Sequence, residues 1–397
     1  TSGTGTITVN QNKTSDEIPE VYASTYSIQG ALDAINNSGS GLNTINVGKG
    51  TWTENVTINK DNIQLNGARK GIAGVEHDAS LVDATIVNST NNWSSLLNIE
   101  YADNVTVDGF DFSGSAGVDI NGASDVTIKN NVIEDSSDDG VHINNASGKI
   151  DILNNQIVSS QYNGIAAYAN GYYGYGYGRM MRNNSIDLTI EGNTILSSGS
   201  NGIYLSNINN QSDQTEVSLM EDEDAPASEP QVLITENYIE NSDYHGISLY
   251  DVGGDVTILV NEIYNSRYDG IYAYNSSGYY GDYMSASYDD GYYGGYYGSQ
   301  PINLNITNNI IENSDAVMDD YKGYDGYYGY YGYDGNAGIE LDISADGYAK
   351  ISDNTIGQNF EYGLLGYSGE IDLTGAGNTI HDTNIGMGFY AGDNRKA

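Results

Sequence analysis

The sequence predicts an all-β solenoid, a single-stranded parallel β-helix with coils of about 24 residues, on three observations. Asparagine recurs at Asn131, Asn155, Asn193, Asn237, Asn261, Asn309, Asn354 and Asn378, at steps of 24 residues or of 24 plus an insertion. A glycine follows nine residues later at Gly140, Gly164, Gly202, Gly246, Gly270 and Gly363; Gly386 stands at plus eight and Gly338 at plus 29. Each unit alternates short β-branched runs, such as Val126-Thr-Ile128 and Leu188-Thr-Ile190, with Asn, Asp, Gly and Ser. No unit holds an apolar helical stripe able to return the chain, so each strand must pair with its equivalent in the next coil.

The elements follow in order. Residues 1–24 form an N-terminal extension containing a spare strand, Thr4–Asn10. The stretch from Thr25 to Ile35 reads as an amphipathic capping helix, and residues 25–390 as the β-helix. The aligned asparagines predict an internal ladder in which each amide bonds to the coils on either side. The recurrent glycine, preceded by Asp139, Asn163, Asn201 or Asp269, is expected to supply a positive φ. Four insertions interrupt the coils, at 168–182, 211–230, 274–300 and 318–336, and residues 391–397 form a tail.

The front coil, Ile45-Asn-Val-Gly-Lys-Gly-Thr-Trp-Thr-Glu-Asn-Val-Thr-Ile58 and then Ile63-Gln-Leu65, resembles the opening of pectin-esterase-type proteins. With the repeats, it makes the chain similar to the right-handed parallel β-helix superfamily, the pectate-lyase-like proteins, from about Tyr26 to Tyr390. The resemblance implies a right-handed helix and, in enzymatic members, carboxylates with a basic residue on an outer sheet face. Asp138-Asp139-Gly140 is similar to a carboxylate pair of the polygalacturonase branch, but that branch's Gly-His-Gly and Arg-x-Lys are absent. The esterase Gln and Arg-Pro-Trp motifs and the epimerase Asp-Pro-His-Glu are absent too. For a lyase, the basic candidates reduce to Arg179, Arg182, Arg267 and Lys129.

Composition limits the partners. Fifty-four acidic residues against 14 basic ones give a net charge of −40, which repels a phosphate backbone and excludes nucleic acid as a general partner. There are no cysteines, and no apolar run reaches the length that membrane insertion requires. A chain opening Thr1-Ser-Gly reads as a processed form, consistent with an extracellular or cell-surface location. Three insertions are rich in Tyr and Gly and hold 21 of the 36 tyrosines, among them Tyr172, Tyr173, Tyr279, Tyr280, Tyr292, Tyr293, Tyr327, Tyr328, Tyr330 and Tyr331. Gly-Tyr repeats serve as plain low-complexity loops, as assembly contacts or as sugar-stacking platforms. The acidic insertion carries Glu221, Asp222, Glu223 and Asp224, an irregular Ca²⁺ candidate without EF-hand spacing; read structurally it is a solvated loop. No other cofactor is implied.

Stacking the units of Asn237 and Asn261 aligns Asp243 with Arg267, Tyr244 with Tyr268 and His245 with Asp269. Such a patch could support general-base chemistry at His245 or a carboxylate, with Arg267 stabilising an enolate-like intermediate. The structural alternative is that Asp and Asn recur at this turn for backbone reasons and that Asp243–Arg267 is an ion pair across coils. His142 aligns outward with Ala166, Tyr204, Ser248, Tyr272 and Glu340; His77 and His381 have no aligned partner and read as surface residues. The C-terminal coil lacks a helical cap. Two functions are therefore expected. The first is a surface structural protein assembling as a homopolymer into a filament, sheath or layer through its open end and Tyr/Gly insertions. The second is an extracellular polysaccharide-binding or polysaccharide-cleaving β-helix.

Overall fold

The computed structural model describes residues 6–9, 27–35, 41–77, 84–89, 94–169, 185–209, 231–275, 301–313, 336–343, 346–373 and 377–390. Three parallel sheets run the length of the solenoid. Among the described residues, sheet A has 12 strands, from Thr6–Val9 to Glu370–Asp372; sheet B has 11, from Gly50–Thr53 to Thr379–His381; sheet C has 11, from Val56–Ile58 to Ile385–Phe389. A typical coil visits them in turn: Ser124–Lys129 in A, Val132–Glu134 in B and Val141–Asn144 in C. The interior is filled by like side chains stacked in register. Ile128, Ile152, Ile190 and Ile234 form one such column, and Ile133, Ile157, Ile195 and Ile239 another, all at most 1% exposed.

The turn from sheet A to sheet B holds the asparagine ladder. Asn155 Nδ2 donates to Asn193 Oδ1 at 3.0 Å and to Ile128 O at 2.9 Å, and its own backbone N–H donates to the same Asn193 oxygen at 2.9 Å. The same linkage joins every successive asparagine from Asn131 to Asn378. The residue before each rung from Asn131 to Asn354 turns the chain through the left-handed region: Asn130, Asn154, Gly192, Glu236, Val260, Asn308 and Asp353 have φ between 53° and 64°. Coupled turn and ladder leave no buried amide orphaned there.

Several expectations are corrected. The recurrent glycines do not have positive φ. Their reason is space: a Cβ on Gly246 would overlap Ile263 Cγ2 and come 2.7 Å from Gly270 O. The N-terminal strand is not spare either. Thr6–Val9 pairs in parallel with Asn43–Val47 and extends sheet A of its own chain. Tyr168 and Tyr274, placed by sequence at the start of insertions, are the last residues of strands Ile165–Tyr168 and Ile271–Tyr274.

The capping helix α1 spans Ile28–Asp33, with Ser27 as N-cap and Ile28, Ala31 and Leu32 buried. Glu54 accepts from the backbone N–H groups of Ile28 and Gln29 at 2.8 and 3.1 Å, complementing the helix N-terminus. Lys60 Nζ donates to the carbonyls of Leu32, Asp33 and Ile35 at its other end. His77 is a further correction. Its side chain is buried, with Nδ1 2.6 Å from Asp111 Oδ1 and Nε2 3.1 Å from Ile72 O, and Arg69 meets the other Asp111 oxygen at 3.1 Å. The segment 67–77 leaves the repeat register, so alignment of units could not find these partners.

Candidate functional site

The cluster predicted at the turn between sheets B and C separates into two parts. His245 and Asp269 face inward, 3% and 1% exposed, with His245 Nδ1 3.0 Å from Asp269 Oδ2. Both serve as rungs of a second ladder. Asn163 accepts from Asn201, Asn201 Oδ1 accepts from the His245 backbone N–H, His245 Nδ1 lies 3.2 Å from the Asp269 backbone N, and Asp269 Oδ1 accepts from the Ala337 N–H. They hold the turn. Asp243 and Arg267 instead line a surface groove, and Tyr244 and Tyr268 pack with ring centroids 4.6 Å apart.

The outer face of sheet C carries the denser chemistry. One row runs Asn98, Asp119, His142, Ala166, Tyr204, Ser248, Tyr272 and Glu340, each paired in register with the next. Two residues along, a second row runs Glu100, Asn121, Asn144, Tyr168, Ser206, Tyr250, Tyr274 and Asp342. Strand pairing spaces these side chains at about 4.8 Å. Only Ala166 lacks a polar or aromatic group. Tyr250 stacks on Tyr274 at 5.0 Å and Tyr168 on His142 at 5.2 Å, with Tyr204 5.6 Å beyond Tyr168.

At one end of this face, His142 Nδ1 lies 3.0 Å from Asp139 Oδ2. Burial raises the carboxyl of Asp119 above the usual carboxylate range, against the pull of His142 and reinforced by Asp138, Glu100 and Asp139. Asp138 is likewise raised, by burial and then by Asp139. For His142, burial lowers the imidazole pKa but the Asp139 hydrogen bond and the surrounding carboxylates outweigh it, and the net shift is upward. Carboxyls biased toward the neutral acid beside a cation-biased imidazole can donate and accept protons. The His142 row was visible in the sequence. Its neighbour Asp119 was not, because the coil preceding Asn131 has Phe110 in place of a ladder asparagine, its N–H donating to Asn131 Oδ1 at 3.0 Å.

The remaining candidates lie outside the described residues: the ten insertion tyrosines, Arg179, Arg182 and the Glu221–Asp224 run. Among the described residues no group of three or more His, Asp or Glu is arranged to hold a metal. No described helix is long and apolar enough to cross a membrane.

A model described as the right-handed β-helix region matches residues 31–175 and 177–396. The chain belongs to the right-handed β-helix family. No curated protein matches it. Among solved structures, this right-handed β-helix is similar to an alginate lyase from Paenibacillus sp. str. FPU-7, with 15% identity over 96% of this chain and 99% of that one and a TM-score of 0.46. It is also similar to the Azotobacter vinelandii mannuronan C-5 epimerase AlgE4 A-module, with 14% identity over 92% and 95% and a TM-score of 0.49. A third is PfbA, a surface adhesin of Streptococcus pneumoniae, with 12% identity over 90% and 89% and a TM-score of 0.43. At these values the likeness is one of fold.

Proposed function

We propose that this β-helix is an extracellular carbohydrate-binding protein that lays a polysaccharide chain along the outer face of sheet C. The observation that supports it is the double row from Asn98 to Glu340 and from Glu100 to Asp342. It carries hydrogen-bonding groups and tyrosine rings repeatedly along one face, exposed at Tyr250 and half-buried at His142, Tyr168, Tyr204 and Tyr274, with Ser206, Ser248, Tyr272 and Glu340 buried beneath. Sugar rings present apolar C–H faces to aromatics and hydroxyls to amides and carboxylates, so a linear polymer fits a linear row. The two rows carry Glu100, Asp119, Glu340 and Asp342 with a single imidazole, and the chain is strongly acidic, which favours a neutral polymer over a polyuronate. Asp119, Asp138 and His142 would supply proton transfer if the bound chain is also cleaved.

Affinity electrophoresis through gels containing a β-glucan, a mannan, an α-glucan or a polyuronate tests this reading. A neutral polymer should retard the protein, and Tyr250→Ala/Tyr274→Ala should migrate freely. Free migration of the parent protein in every neutral gel, or equal retardation of the double variant, would sink it. Release of reducing ends that disappears in Asp119→Asn and Asp138→Asn would extend the reading to hydrolysis.

One observation favours the second reading, assembly of copies into a polymer. The strand Ile385–Phe389 exposes Ile385, Met387 and Phe389 by 41%, 47% and 52%, although Met387 pairs in register with the buried Leu364. Sedimentation over a concentration series tests it: Met387→Glu/Phe389→Glu should abolish any growth in particle size.

A further inference from the structure

Beside sheet C, the turn arriving from sheet B opens into a groove of about 300 Å³ across the coils of Asn237, Asn261, Asn309 and Asn354. Asn241, Asp243, Asn265, Ser266, Arg267 and Asn313 line it. The volume stands at the lower end for ligand pockets, room for a small molecule. The groove is separate from the two rows above, none of whose residues line it.

The groove is polar by construction. Asn265 Nδ2 donates to Asn241 Oδ1 at 3.3 Å, and Asn313 follows them in the row because Tyr264 pairs with Glu312 immediately before. Asn313 is 5% exposed; its Nδ2 donates to Ser266 O at 2.9 Å, while its Oδ1 has no hydrogen-bond partner among the described residues. The hydroxyls of Ser242 and Ser266 are also buried and unpartnered, but Ser160 and Ser198 repeat that arrangement away from the groove. An unpartnered buried amide oxygen recurs at Asn336, which also lines the groove, and away from it at Asn66, Asn98 and Asn144. A buried amide oxygen left unsatisfied is unfavourable unless something donates to it, and the groove is where a donor can enter. At the rim, Asp243 adds acceptors and Arg267 donors. The exposed Tyr244 follows Asp243 in the chain, its ring tilted against that of Tyr268 at 4.6 Å.

We infer that this groove is a discrete subsite for one or two units of a neutral, hydroxyl-rich sugar. Hydroxyl groups donate to Asn313 Oδ1 and Asp243, and accept from Arg267 and Asn265. The ring's apolar face rests on Tyr244. An anionic ligand would meet Asp243 and the acidic surface around it, and a bare cation would find no cluster of three carboxylate or imidazole groups among the described residues. The inference does not depend on a polymer lying along sheet C.

The test is calorimetric titration of the full chain with cellobiose, maltose and mannobiose up to about 20 mM, where weak sites saturate. Parent protein, Asn313→Leu, Asp243→Ala and Tyr250→Ala/Tyr274→Ala are compared. At least one disaccharide should bind, and affinity should fall tenfold or more in both groove variants while the sheet C variant keeps it. Asp243 is exposed, so its truncation leaves the coil intact even if Asn313→Leu does not fold. Undiminished binding by Asp243→Ala, or no binding of any disaccharide by the parent, would overturn the inference. Failure of polymer retardation with retained disaccharide binding would overturn only the sheet C reading.

Discussion

Replacing Asn261 with leucine removes one rung of the ladder at a position 0% exposed. Its Oδ1 accepts from the Asn237 backbone N–H at 3.1 Å and from Asn237 Nδ2 at 3.0 Å; its Nδ2 donates to Ile234 O at 2.9 Å and Asn309 Oδ1 at 3.0 Å. Asn237 Nδ2 retains Ile190 O and Thr235 O, and Asn309 Oδ1 retains the backbone N–H of residue 261. The irreplaceable loss is the Asn237 N–H, a buried donor with no alternative, costing about 1–3 kcal/mol; the Nδ2 bonds to the carbonyls of Ile234 and Leu259 add about 1 kcal/mol each. The expected total is about 3–5 kcal/mol. For a chain of this length unfolding as one unit, at about 2.1 cal/mol/K per residue, that lowers Tm by about 4–6 °C. Scanning calorimetry reads the global effect, and hydrogen exchange of a peptide covering Gln231–Glu240 reads the local one, which matters if coils open separately. Asn378→Leu is the control: this rung is only half-buried, water reaches its neighbours, and about 1 kcal/mol is expected. A Tm shift below about 1 °C with unchanged exchange at Asn237 would refute the ladder as a source of stability.

Val260 is a β-branched residue at φ 56° with 45% exposure, so Val260→Asn should raise stability by about 1 kcal/mol, read from thermal unfolding. Lys60→Met removes three hydrogen bonds to the carboxyl end of α1; a local loss of about 1.5–3 kcal/mol should appear as faster proteolytic release of the segment ahead of Asn43. Asp119→Asn tests the raised carboxyl. A group whose folded pKa is raised supports the fold below its unfolded value of about 3.9 and withdraws that support as pH climbs through the folded value. The Tm of Asp119→Asn minus that of the parent should therefore grow more positive from pH 3 to pH 7, an interval spanning about three units above the acid limit. A flat or falling difference contradicts it.

The ladder was legible because a buried amide that must bond to its own kind keeps its place in every coil, so Asn131 to Asn378 recur at 24 residues or at 24 plus an insertion. Spacing establishes that positions are equivalent, not what conformation they adopt. The glycines illustrate the gap: their recurrence was plain, but the tight approach of Gly246 to Ile263 and Gly270 depends on which side chains the next coil points at it. His77 was misplaced because segment 67–77 lies outside the repeat. Asp119 escaped because Phe110 interrupts the asparagine pattern one coil too early. The division of the His245–Asp269 pair from Asp243 and Arg267 depends on which way two adjacent turn residues face, which a one-dimensional alignment does not carry.

The proposed reading favours the sheet C face over the outer face of sheet B, although tyrosines are present on both, because of how the rings pack. On sheet B, Tyr238 donates to Glu240 at 2.9 Å and Tyr264 to Glu262 at 3.3 Å, each two residues away on its own strand. Burial, with Glu262 and Glu312 nearby, pushes Tyr264 up to about 12. Those tyrosines are engaged by carboxylates of their own strands. On sheet C the rings of Tyr250 and Tyr274 stack along the axis, 5.0 Å apart, and Tyr250 is 41% exposed. Inward positions repeat because the ladder and isoleucine columns demand it; outward positions are released from that demand. The outward rows of rings and acids, beside a groove with an unsatisfied amide, are the groups that the proposed recognition of a ligand along that edge would use.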